Sequence, residues 1–174
     1  MLKIIHLKSK YVPISKLASG RWKIHFRFEP YYEVDAEGNK TETQLGTWME
    51  TLVPFKPSLE QLKKLILDAI NKEVDEKILS DFVWKDMSVW LSTENQFNYK
   101  AAYDLAVMSQ GKSLPTVFKF GTTDNPVYYA FESLEDISDF YISAMAYINT
   151  CLAEGWKLKD SIDWSAYEAA LKDD

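Results

Sequence analysis

The stretch DFVWKDMSVWLSTENQFNYKAAYDLA, residues 81 to 106, joins a compact hairpin directly to a helix. Two β-prone triplets, Phe82-Val83-Trp84 and Val89-Trp90-Leu91, flank the short segment 85–88, which is typical of two strands and a turn. Ser92 then occupies the place of a helix N-cap, where a hydroxyl accepts a first-turn amide. Because strands joined by so short a turn pair antiparallel, the stretch predicts one hairpin–helix unit.

The helix of this unit is predicted from residue 93. Glu94 lies in its first turn, where a carboxylate favours the positive helix end. Apolar residues recur at helical spacing at Phe97, Ala101, Leu105 and Met108. Gly111 supplies the glycine with which helices commonly end.

Two further hairpin–helix units surround this one. Residues 21–35 alternate apolar and polar side chains, residues 36–39 (AEGN) form a turn, and residues 41–55 return as a second strand. A helix over 58–79 follows, with Ser58 and Gln61 as a capping box. The opening residues LKIIHL add a further predicted strand.

The third unit consists of the strands LPTVFKFG and PVYYAF and a long helix that Ser133 caps. Gly155 is expected to end that helix, and SAYE, with Ser165 and Glu168, caps a short last helix. The predicted fold class is therefore α+β, with antiparallel β-hairpins alternating with amphipathic helices and a long C-terminal helix. We divide the chain into an N-terminal β-hairpin region, 1–56, and an α+β module, 57–174.

The charge of the chain is unevenly distributed. The net charge is −6, yet residues 1–28 contain seven Lys and Arg and no acidic residue. Such a split is one mark of an acidic or anionic partner for the N-terminal segment. Packing of this segment beside the acidic remainder of the chain, or of a second copy, is the favoured interpretation, because only two of the seven basic residues are Arg and no nucleic-acid-binding motif accompanies them. The basic face of the first hairpin is a candidate partner surface: Lys23, His25 and Arg27.

A second candidate partner surface lies at the start of the helix after Ser92. Its polar residues are more numerous than a cap requires, and Asn is a mediocre helix former. They predict either a scaffold for the helix start or a contact surface made of Asn95, Gln96, Asn98 and Tyr99.

Motifs for catalysis, cofactors or metals do not emerge from the sequence. The only cysteine, Cys151, lies on an apolar helical seam, and His6 and His25 are the only histidines. Gly111-Lys112-Ser113 resembles the end of a phosphate-binding loop, but a strand follows where that motif needs a helix. We therefore predict a non-enzymatic protein with no cofactor, no nucleic-acid partner and no membrane segment.

Val74-Asp75 and Ile78 lie on the predicted helix 58–79, and Phe82 with Trp84 lie in the first strand of the hairpin that follows. These residues match the first helix and the first hairpin of a known pattern: residues 66–164 resemble phage and prophage proteins of gut bacteria and, more distantly, a domain of unknown function found in tail-fibre and tail-fibre-assembly proteins. Ser80 and Asp86 stand where glycines are expected.

This resemblance implies a structural or assembly role through protein partners, including virion or tail components or a second copy. It also implies a cytoplasmic location, or a place in the virion after assembly. The alternative is a free-standing carbohydrate or small-ligand binding module that uses surface aromatics such as Trp48, Trp84 or Trp90, since rings stack on sugar faces.

Overall fold

The structure is a computed structural model that describes residues 2–6 and 11–172. Lys8 and Lys10 of the basic N-terminal segment lie outside the described residues. The described chain is α+β, as predicted. Among the described helices, none is long and apolar enough to cross a membrane.

The chain divides into two compact units, Met1–Ala69 with Leu158–Asp174 and Ile70–Lys157. The domain boundary that the sequence suggests at residue 56 stays a prediction. Two helices, α1 (Leu59–Ser80) and α3 (Leu134–Asp160), contribute residues to both units.

The first unit contains a four-stranded antiparallel sheet in the order β1-β4-β3-β2. The predicted strands are confirmed as β1 (Leu2–His6), β3 (Trp22–Val34) and β4 (Lys40–Val53), whereas the short β2 (Ile14–Lys16) was not foreseen. The last helix, α4 (Trp164–Lys172), belongs to this unit, and Asp163 rather than Ser165 caps it by accepting from the Ser165 amide at 3.0 Å.

The second unit consists of two hairpins and the helices that cover them. Strands β5 (Phe82–Trp84) and β6 (Met87–Val89) form one, and β7 (Thr116–Gly121) and β8 (Pro126–Phe131) form the other. Helix α2 (Thr93–Met108) lies between them in sequence.

The β5–β6 turn is tighter than the sequence suggested. Only Lys85 and Asp86 connect the strands, and both have positive φ, 46° and 60°. Positive φ at both central residues is what a type I′ hairpin turn requires, and glycine is favoured at the second of them. The backbone thus explains why a glycine is expected at position 86.

Gly155 does not end the long helix, contrary to the prediction. Helix α3 continues through it to Asp160, and Gly155 is buried. A Cβ atom built there would lie 2.7 Å from Val74 Cγ2 of α1. This glycine allows two helices of the second unit to approach closely, and a glycine can serve that purpose without breaking a helix.

We expect Gly155→Ala to lower the free energy of unfolding by roughly 1 kcal/mol, and by no more than about 2 kcal/mol. Alanine gains roughly 1 kcal/mol of helix propensity, but the stiff Val74 side chain cannot move away, and overpacking costs about 1–3 kcal/mol. Urea unfolding measures the difference. In a Val74→Ala background the same change should be neutral or stabilising, and an equal loss in both backgrounds would contradict the close contact.

Candidate functional site

Helix α2 carries a row of large apolar side chains on its exposed face. Phe97 is 72% exposed, Leu105 57% and Met108 83%, and Ala101 between them is also exposed. At 100° per residue these four positions fall on one side of the helix. They present on the order of 400 Å² of apolar surface, which is as large as the greatest patch on a typical monomer.

The opposite face of α2 accounts for this orientation. Tyr99 is 4% exposed, and its ring centroid lies 4.8 Å from that of Phe118 and 5.0 Å from that of Phe140. Ala102 and Ala106 beside it are small and pack against the same core.

At the edge of this face Tyr103 stacks on Tyr141 of α3, with 4.6 Å between the ring centroids. Two tyrosine rings and two methyl groups thus cover this face, and the larger apolar residues remain outside. We call Phe97, Ala101, Leu105 and Met108 the α2 stripe.

The polar residues at the start of α2 are used mainly to hold the chain that enters the helix. Ser92 Oγ accepts from the Asn95 amide at 3.2 Å. The side-chain amides of Asn95 and Gln96 donate to the carbonyls of Trp90 and Leu91, at 2.8 and 2.7 Å. These bonds fix the connection between β6 and α2.

The other two residues of the predicted contact surface, Asn98 and Tyr99, are not brought together by the structure. Tyr99 is in the core, so it offers no accessible surface, whereas Asn98 is exposed beside Phe97. Sequence reasoning identified the spacing of the α2 stripe but not its outward orientation. The signal was the composition of the other face, where Ala102 and Ala106 alternate with aromatic residues.

The basic residues of β3 are brought together only in part. His25 is 7% exposed; its Nδ1 lies 2.6 Å from the Val12 carbonyl and its Nε2 3.0 Å from Glu50 Oε2. Lys23 Nζ lies 3.2 Å from the same Glu50 oxygen. Because His25 faces Glu50 directly in the register, these side chains form a charged cluster on the sheet.

A β-bulge separates the third basic residue from the first two. The register moves from Phe26 opposite Met49 to Glu29 opposite Thr47, and Arg27 in between has a φ of 56°. Arg27 Nε lies 3.4 Å from Glu29 Oε1. The simple alternation predicted for this strand therefore fails after Phe26, because a bulge residue changes which face follows.

The exposed Trp90 borders a cleft in the second unit. Trp90 is 52% exposed, whereas Trp48 and Trp84 are buried. The cleft has a volume of about 530 Å³, and its lining is a mixture of hydroxyl, aromatic and lysine side chains with backbone: Ser80, Ser88, Val89, Trp90, Lys119, Phe120, Gly121, Thr122 and Thr123. This is a size that suits a small ligand.

The acidic start of α3 lines a second cleft, of about 590 Å³. Its central carboxylate is already bonded: Asp136 accepts from Lys85 Nζ at 2.5 Å and from the Tyr129 hydroxyl at 2.8 Å. Asp139 accepts from Trp84 Nε1 at 2.9 Å. These contacts attach the β5–β6 turn to α3. Among the described residues there is no cluster of three or more side chains suited to a metal ion.

The Glu50 carboxylate makes stability in the first unit depend on pH. Burial raises its pKa, but the hydrogen bonds from His25 and Lys23 outweigh burial and hold the pKa below the ordinary value of 4.5. A carboxyl whose pKa is lowered by folding stabilises the folded state above its unfolded pKa, and that contribution disappears as the pH falls through the folded pKa.

We expect Glu50→Gln to cost about 1 kcal/mol of unfolding free energy at pH 7, as charge-assisted bonds are lost. The difference from the wild type should shrink between about pH 5 and pH 3, where Glu50 itself becomes neutral. Urea unfolding at several pH values measures it. The matched control is Glu168→Gln, on the exposed side of α4. A difference that stays constant with pH would contradict the role of the Glu50 charge.

Comparison with known proteins gives a match that covers about the C-terminal two thirds of the chain. No curated protein and no solved structure matches the sequence. A family model described as domain of unknown function DUF4376 matches residues 61–174, which is more than half of the 174 residues. That span includes α2 with its exposed stripe and the whole Trp90 cleft. The chain belongs to the DUF4376 family of domains of unknown function.

Proposed function

We propose that this protein is a non-enzymatic structural or assembly protein of phage origin that acts through protein–protein contacts. The observation that carries the proposal is the α2 stripe, in which Phe97, Leu105 and Met108 point outward along one helix face. Its partners would be virion or tail components, and it would work in the cytoplasm or in the assembled virion.

The chemistry of the stripe suits a protein surface. Aromatic residues and methionine are enriched in protein interfaces, and an apolar helix face commonly docks through residues spaced by three and four. The stripe uses this spacing at positions 97, 101, 105 and 108. The resemblance to tail-fibre-associated proteins supports the same role. The carboxylates of Asp136 and Asp139 at the start of α3 are already bonded to other side chains, so they give no support to a hydrolytic activity of this protein.

The experiment is quantitative mass spectrometry of particles purified after prophage induction in the source strain. We expect the protein at a fixed copy number per particle, or in assembly intermediates. A Phe97→Ser/Met108→Ser variant should be recovered at least about tenfold less, since central apolar contacts dominate interface energies. The matched control is Ile142→Ser, an exposed apolar residue of α3. Absence of the wild type from both particles and intermediates would contradict the proposal.

A second candidate function is the binding of a carbohydrate or another small ligand in the Trp90 cleft. The observation in its favour is a half-exposed indole at the edge of a cleft that also has Ser88 and Thr122 hydroxyls. An aromatic face beside hydroxyl groups is suited to a sugar ring. The cleft contains one exposed ring and no Asn or Asp side chain, so it is a weaker candidate than the α2 stripe.

Tryptophan fluorescence titrated with a panel of mono- and oligosaccharides tests this second candidate. We expect a saturable change in emission that Trp90→Ala abolishes. Trp156→Ala, which removes another exposed indole of the same unit, should leave the ligand affinity within about twofold of the wild type, since neutral surface changes have small effects. An unchanged titration in Trp90→Ala would contradict binding in this cleft.

A further inference from the structure

We infer that the α2 stripe binds the α2 stripe of a second copy of this chain, with the two helices antiparallel. The inference rests on the proposed function, because it identifies the partner of the same surface. Three properties of the described residues carry it: the internal symmetry of the stripe, the charges at its two ends and its area.

The stripe is nearly symmetric about its midpoint. When α2 is reversed about a point between Ala101 and Leu105, Phe97 comes opposite Met108 of the second copy, and Ala101 comes opposite its Leu105. Each large side chain of the inner pair thus meets a small one, which permits close packing. A two-fold axis repeats both contacts, as an isologous interface requires.

Charges at the two ends of α2 favour the antiparallel arrangement. Glu94 is exposed in the first turn, and Lys112 is exposed just beyond the last turn. Glu94 belongs to the first turn of α2, whereas Lys112 lies in the turn that follows the end of the helix at Met108, where Gln110 and Gly111 have positive φ. An antiparallel pair brings the start of each helix to the end of the other, so Glu94 of one copy lies at the same end of the interface as Lys112 of the second. A parallel pair would place like charges together, which is destabilising. Neither residue forms an ion pair with another described part of the chain.

A further pair of charges, Lys100 and Asp104, lies along one edge of the stripe. Lys100 Nζ is 2.7 Å from Asp104 Oδ2, on the next turn of the same helix. In the antiparallel arrangement this edge of one copy borders the same edge of the other, within about two residues in height. Lys100 of one copy is therefore able to reach Asp104 of the second, which adds attraction without leaving a charge unpaired.

The area of the stripe indicates the size class of the interface. Two stripes bury on the order of 800 Å² of apolar surface, and the polar flanks add to this. That total lies at the low end for specific complexes, which bury about 1,200–2,000 Å². Interfaces of this size are typical of weak and transient complexes, so we expect a dimer that exchanges with the monomer.

Sedimentation equilibrium of the full chain, from about 1 to 300 µM, is the first measurement. We expect a reversible monomer–dimer equilibrium within this range of concentrations. Leu105→Glu places a charge at the centre of the interface and should weaken the dimer by at least about 100-fold. The matched control is Ile142→Glu, an exposed apolar position of α3, which should leave the dissociation constant within about threefold. Circular dichroism verifies that both variants remain folded.

A charge exchange tests the antiparallel arrangement itself. Glu94→Lys or Lys112→Glu alone should weaken the dimer by about tenfold, because two symmetric attractions become repulsions. The combined Glu94→Lys/Lys112→Glu variant should return to within about threefold of the wild type. A chain that remains monomeric at every concentration overturns the inference, and so does a double variant that is not restored.

These outcomes are separable from those of the proposed function. A monomeric chain that is still recovered in particles through the α2 stripe would overturn self-association alone. A dimeric chain that is absent from particles and intermediates would overturn the phage role and leave the dimer intact.

Discussion

The second unit depends on one aromatic side chain, Phe140 of α3, which is fully buried. Its ring centroid lies within 5.0–6.5 Å of those of six other aromatic rings, and these rings come from β5, α2, β7 and β8: Phe82, Trp84, Tyr99, Phe118, Phe120 and Phe131. Edge-to-face arrangements, as with Trp84 and Tyr99, add attraction beyond the area that is buried. Two short hairpins that are marginal alone become one core because each delivers rings to the same residue.

This arrangement determines what remains on the surface of α2. A helix that delivers one tyrosine to a shared aromatic core has no further need of large apolar residues on its inner face. Ala102 and Ala106 fill the remaining space against the core. Phe97, Leu105 and Met108 therefore contribute little to the folding of the unit that the structure describes. Their exposure is unfavourable in water, and association with a protein surface removes it. The core and the exposed α2 stripe, which we propose as the interaction surface, are thus two consequences of the division of α2 into a small inner face and a large outer face.

The sequence was sufficient for most of the helices and strands, although not for β2 or for the end of α3, and it was insufficient for which face of each element is buried. Caps at Ser58, Ser92 and Ser133 marked helix starts correctly, because capping is a local hydrogen-bond requirement. Gly155 was misinterpreted, since a glycine at a close approach of two helices looks like one at a helix end until the opposing Val74 is known. Alternation predicts His25 on the basic face of the first hairpin, whereas in the structure it is buried, because Val12 and Glu50 supply the polar partners that allow its burial.

The same difference applies to the candidate site: its residues could be predicted from the sequence, but the direction in which they point could not. Helical periodicity identified the residues of the α2 stripe, but periodicity is identical for a face that packs inward and one that points outward. What separates the two is the volume available on each side, and that volume is set by Phe140 and the hairpins rather than by α2. A helix whose two faces both have apolar residues, one small and one large, is therefore informative: the small face suits a crowded core, and the large face suits a partner. Charges of opposite sign at the two ends of the large face then favour an antiparallel copy of the same helix.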